Sequence, residues 1–169
     1  MDKADELMEA FRARVASAVS SKLDVLMDLE RLGDERIVPF LLHVLADEHE
    51  PIEVRLHVLR RLTARPFIPG RRLLVAEAVR HVAADRPSPC LRLKAALALA
   101  EFADITSVVT TLGGLALDPD ELIDLRYSAF TSLQRAGPTA ECVALVQQLS
   151  ADETLGGCAR SLLSLWRRK

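Results

Sequence analysis

Apolar residues in this chain recur every third or fourth position in long blocks separated by short polar breaks. That period belongs to amphipathic helices; strand-length alternation is absent. The stretch VPFLLHVLADEHEPIEVRLHVLRRL, Val38 to Leu62, sets the pattern: a helix, a short acidic loop, and a second helix with Val-Arg near its start. The pattern predicts helices over residues 2–19 (Leu7, Phe11, Val15 and Val19 on one face), 21–32 (Leu23, Leu26, Leu29, Leu32), 34–45 and 51–62. Further helices are expected near 70–84, 89–102, 105–117, 119–136, 138–149 and 151–167. Gly33 suits a helix end and Asp34 an N-cap, whereas Pro39 should kink the helix that follows. Thr63 to Gly70, with Pro66 and Pro69, reads as a turn region. Gly113-Gly114 should weaken its helix by ~1 kcal/mol per glycine.

The helices come in pairs, and the pairs repeat. Arg55, Arg92, Arg126 and Arg160 stand 37, 34 and 34 residues apart. Seventeen residues before each lies a valine: Val38, Val75, Val109 and Val143. Eight before three of them lies an aspartate, Asp47, Asp118 and Asp152; before Arg92 that place is Ala84, with Asp85 next to it. Val58, Ala95, Ala129 and Leu163 follow three residues after the arginines. Lys22, 33 before Arg55, sits near the corresponding place in an atypical N-terminal pair. Self-similarity at such a period marks a helical repeat array.

The unit LGDERIVPFLLHVLADEHEPIEVRLHVLRRL resembles HEAT repeats, in particular bacterial HEAT-like repeats of the kind also found in phycobilisome-lyase-like proteins. Pro39, Asp47 and the Val54-Arg55 pair carry the likeness; later units replace the proline with Ala76, Thr110 and Ala144. The resemblance implies an all-α, right-handed α-solenoid of antiparallel hairpins in one domain, 1–169. Its parts would be an N-terminal capping hairpin, 1–32, and four repeats at 33–66, 70–103, 104–137 and 138–169.

Composition narrows the function classes. Half the residues are hydrophobic, 27% are charged and only 4% are aromatic, so Leu, Val and Ala must fill the core. A net charge of −2 argues against a non-specific nucleic-acid binder. The three cysteines, Cys90, Cys142 and Cys158, form no Cys-x-x-Cys and read as reduced packing residues. The N-terminus carries no apolar signal core, and no apolar run approaches the ~20 residues of a bilayer span, so a cytoplasmic chain without a membrane partner is expected. His43, His49, His57 and His81 lack zinc-ligand spacing, and no phosphate-binding glycine loop, Gly-x-Ser-x-Gly or His-Glu-x-x-His is present. The expectation is a non-enzymatic protein with no metal and no cofactor.

Two sets of residues stand out. Asp47, Arg55, Arg92, Asp118, Arg126, Asp152 and Arg160 form a candidate structural ladder, the aspartates capping second helices or pairing with arginines of their own or the next unit. The second set points away from the buried side of the second helices: Glu53, His57, Arg60, Lys94, Leu97, Asp124, Ser128 and Thr131, with neighbours Arg61 and Tyr127. In HEAT-like solenoids this side is concave, which makes these residues a candidate surface for a protein or peptide partner. The rival functions implied by resemblance are a DNA-glycosylase-type DNA binder and an accessory subunit of a lyase-like complex. An exposed edge at Leu97, Leu162 and Leu165 would suit a monomer that weakly homodimerises.

Overall fold

The computed structural model describes residues 1–64 and 70–168; Pro66 and Pro69 lie outside that range. The described chain is all-α, with ten α-helices, one 3-10 segment and no strand. The helices are α1 (Lys3–Arg12), α2 (Val19–Leu32), α3 (Ile37–Ala46), α4 (Ile52–Thr63), α5 (Arg72–Ala84), α6 (Pro89–Ala98), α7 (Thr106–Leu117), α8 (Ile123–Ala136), α9 (Ala140–Leu149) and α10 (Gly156–Arg167), with the 3-10 segment at Leu99–Phe102. No described helix is long and apolar enough to cross a membrane.

Contacts group the chain into two compact units, Met1–Ala78 and Val79–Lys169, the division falling within α5. In the first unit α1 packs on α2, α3 on α4, and α2 on α4. In the second, α7 pairs with α8 and α9 with α10, while α6 packs on α8 and α7 on α9. Each unit has an aliphatic core. Leu26, Leu29, Leu41, Leu45 and Val58 are buried in the first, and Leu91, Leu99, Leu112, Leu125 and Leu133 in the second. The few aromatics are placed locally: Phe11 meets Phe40 edge to face at 5.4 Å.

Several helix boundaries depart from the periodicity, each for a local reason. α1 stops at Arg12, and Arg14 turns back to donate to the Ala10 carbonyl and the Ser21 hydroxyl, leaving Val15 exposed. Leu32 is likewise exposed; Lys22, Val25, Leu26 and Leu29 form the buried face of α2. Gly33 ends α2 in the left-handed region at φ 65°, where a side chain would be strained. Pro39 is the third residue of α3, so its missing N–H is one that no helical carbonyl could have met, and no kink is required. α8 begins at Ile123 rather than residue 119 because Asp118 holds the loop, its carboxylate accepting from the Asp120 amide at 2.9 Å. α10 begins at Gly156 rather than 151, since Asp152 accepts from the Thr154 and Leu155 amides at 2.9 and 2.8 Å.

Gly113 and Gly114 lie inside an unbroken α7. A Cβ on Gly113 would stand 2.5 Å from Leu145 Cδ2 of α9, whereas one on Gly114 would meet nothing within 4 Å. The first glycine therefore lets α9 approach α7; the second has no packing role.

Candidate functional site

Arg55, Arg92, Arg126 and Arg160 each reach back to a backbone carbonyl. Arg55 Nε donates to the Leu45 carbonyl at 2.8 Å, Arg92 Nε to Ala83 at 3.0 Å and Arg126 Nε to Ala116 at 3.0 Å. Arg160 reaches the Ser150 carbonyl at 2.6 Å through Nη1. Each thus satisfies a carbonyl at or near the end of the first helix of its own pair, where helical partners run out. In Arg92 and Arg126 the rest of the guanidinium turns to the next loop. Arg92 grips Glu121 with both Nη atoms, at 3.0 and 2.6 Å, and Arg126 Nη2 donates to Asp152. Lys22 takes the same place in the N-terminal pair, with Nζ 2.8 Å from both Glu50 oxygens and 4.3 Å over the Phe11 ring. Lys22, Arg55, Arg92 and Arg126 are all buried, and the contacts of Lys22, Arg92 and Arg126 hold charge away from water and fix how neighbouring hairpins register. Arg160 is the exposed member.

Asp47 and Asp118 have a different task from the one expected of them, whereas Asp152 does pair with an arginine, Arg126. Asp47 and Asp118 accept backbone amides of His49 and Asp120, shaping the turn, and the carboxylates three residues later, Glu50 and Glu121, meet the cations. Only Asp152 does both, because Leu155 occupies the place three residues on. These contacts favour the ionised carboxylates. The Arg92 guanidinium, above all, holds Glu121 below its ordinary 4.5. The Leu155 amide, and after it Arg126, lower Asp152.

The candidate partner face divides by unit. On α4, Glu53 and Arg60 are exposed and Arg61 is partly so. His57 is half-buried, its Nε2 2.9 Å from Glu30 Oε1 on α2, and Arg61 Nε stands 3.5 Å from the other Glu30 oxygen. In the second unit Lys94, Asp124, Tyr127 and Thr131 are exposed and Leu97 is half-buried. Ser128 is buried, its hydroxyl donating to the Asp124 carbonyl at 2.8 Å, so it does not belong to the exposed face. The reason is the close approach of α6 to α8. There Ser132, one turn on and fully buried, donates to the Ala96 carbonyl at 2.6 Å.

Between α8 and α10 the packing opens into an uncharged groove of about 510 Å³. Phe130 and Leu162, 6% and 5% exposed, form its floor. Gln134, Gly157, Cys158 and Leu165 line it higher up, Leu165 being 49% exposed. Leu162 therefore lies beneath the surface, and the exposed edge expected of Leu97, Leu162 and Leu165 is confined to Leu165. Cys142 is buried, but Cys90 and Cys158 are exposed and do not serve as core packing.

The sequence reading missed Glu30, Glu50, Glu121, Phe130 and Gln134. For Glu50 and Glu121 a signal exists: Asp-x-x-Glu recurs as Asp47–Glu50 and Asp118–Glu121. The groove has none, since it depends on how far two helices splay. No group of three or more His, Cys, Asp or Glu side chains among the described residues is placed to hold a metal ion. No protein-family model matches the chain, and no curated protein sequence matches it.

Proposed function

We propose that this chain is a HEAT-like α-solenoid serving as a non-enzymatic binding module, and that it engages a protein or peptide on the second-helix side. The observation that carries the reading is the groove between α8 and α10, an uncharged cleft with a buried aromatic and aliphatic floor. Such a cleft suits an apolar anchor from a partner, with exposed Lys94, Asp124, Tyr127 and Thr131 on the same set of helices available as a polar rim. In the first unit Glu53 and Arg60 supply the corresponding exposed charges, beside Arg61 and His57 held by Glu30. The cation contacts support the solenoid reading, because a buried cation of one hairpin meets a carboxylate of the next loop at Lys22 in the first unit and at Arg92 and Arg126 in the second.

Affinity capture tests the proposal. Wild-type chain is compared with Leu165→Arg, Lys94→Glu and Arg60→Glu, each first shown by circular dichroism and thermal melting to be folded. Partners bound by wild type and lost with Leu165→Arg support the groove; loss with Lys94→Glu extends the site within the second unit, and loss with Arg60→Glu marks a face on the first. Identical captured proteins in all four samples would remove the proposal.

A further inference from the structure

We propose that the groove between α8 and α10 receives a second copy of this chain, the two copies crossing antiparallel over α10 about a two-fold axis. The inference rests on the groove being a docking face, and it names the occupant.

The groove lining carries no charge, but the segment from Glu153 through α10 to Arg168 is oppositely charged at its two ends. Exposed Glu153 lies just before the first turn of α10, beside the groove residue Thr154. Exposed Arg167 and Arg168 follow Leu165 at the other end. An acidic start and a basic finish on one apolar element are complementary to the same element reversed. A two-fold axis sets Glu153 of each copy against Arg167 and Arg168 of the other, so the attraction is made twice. A partner with uniform charge would gain at one end and lose at the other.

Shape points the same way. Gly157, Ser161 and Leu165 stand four residues apart on α10, one ridge of the helix, and all three border the groove. Nothing lies within 4 Å of where a Gly157 Cβ would be, so that end of the ridge is open to an approaching backbone. Ridges of this kind pack into the grooves of a like helix. On the two-fold, Leu165 of one copy meets the Gly157 end of the other, a large side chain against the place where one is missing. The midpoint between Glu153 and Arg168 falls between Arg160, whose guanidinium is turned back to the Ser150 carbonyl, and Ser161, which borders the groove, so the axis passes beside a small residue. One helix and its groove bury less than the roughly 1,200–2,000 Å² of a tight complex, so the dimer should be weak and concentration-dependent.

Sedimentation equilibrium of the full chain tests this. The expected result is a weight-average mass that rises from 18.6 kDa toward twice that value between low-micromolar and near-millimolar protein. Glu153→Arg and Arg167→Glu/Arg168→Glu should each be monomeric alone, through like-charge contacts. Mixed in equal amounts they should recover the dimer, because every end-to-end pair is then opposite in sign. A monomeric wild type at every concentration overturns the inference. So does a dimer that persists in both charge variants, or one that mixing fails to restore. If wild type is monomeric while Leu165→Arg still abolishes capture of another protein, the second copy is the wrong occupant and the groove stands as a docking face. If wild type dimerises as described and capture is unaffected, the groove is filled by self-association alone.

Discussion

Arg92 shows what a single residue does in this fold. It is buried, donates through Nε to the Ala83 carbonyl, and binds Glu121 with both remaining nitrogens. Arg92→Met should cost about 3–5 kcal/mol in urea unfolding, because it strands a largely covered carboxylate and a helix-end carbonyl. Arg135→Met breaks an ion pair to Glu101 that is 51% and 24% exposed, and should cost no more than about 1 kcal/mol. Equal effects would mean that burial does not set the strength of these pairs. The carboxylates also impose a pH dependence. Glu121 and Asp152 both have folded-state values below ordinary ones of 4.5 and 3.8. Their contribution is therefore complete above the ordinary values and is lost as pH falls through the folded ones. The urea midpoint should stay level from neutral pH to about pH 5 and drop below about pH 4, and Glu121→Gln should make that drop shallower. The arginines were legible because their near-regular spacing sets them in one frame with the valines before them. Their carbonyl acceptors were not, since a backbone oxygen leaves no mark on residue type.

At the scale of the element, adjacent glycines in α7 separate propensity from packing. Gly114→Ala meets nothing and should stabilise the chain by about 0.5–1 kcal/mol. Gly113→Ala gains the same propensity but pushes a methyl into Leu145 of α9, so its thermal midpoint should fall below that of Gly114→Ala. Gly156→Ala should destabilise, because its Cβ would lie 2.9 Å from the Ser150 carbonyl oxygen and 3.0 Å from Arg160 Nη1, disturbing the bond between them. Differential scanning calorimetry on the three variants checks the order. Helix identity was readable from the apolar period throughout. Helix starts were not, because Asp118 and Asp152 spend several residues on side-chain-to-backbone turns before α8 and α10 begin. Proline illustrates the same point: Pro39 would kink a helix that began at residue 34, but α3 begins at Ile37 and places it in the first turn.

Over the whole chain, the all-α class followed from period and pairing alone. The candidate face was legible only in part. Counting 100° per residue placed Lys94, Asp124 and Thr131 outside correctly, but it gave Ser128 to solvent and Leu162 to an exposed edge. Those two positions depend on how closely second helices approach, tight between α6 and α8 and open between α8 and α10. Spacing along one helix carries no information about the distance to the next. The cation contacts also have a direction: Lys22, Arg92 and Arg126 each reach forward, to carboxylates 28, 29 and 26 residues later in the chain. A ribosome releases the cation first. Until the following loop emerges, that cation remains hydrated, and the arriving hairpin then strips its water and supplies its counter-charge in one step. A half-synthesised chain thus presents a wet positive group where bare hydrocarbon would otherwise show, which disfavours sticking between unfinished molecules.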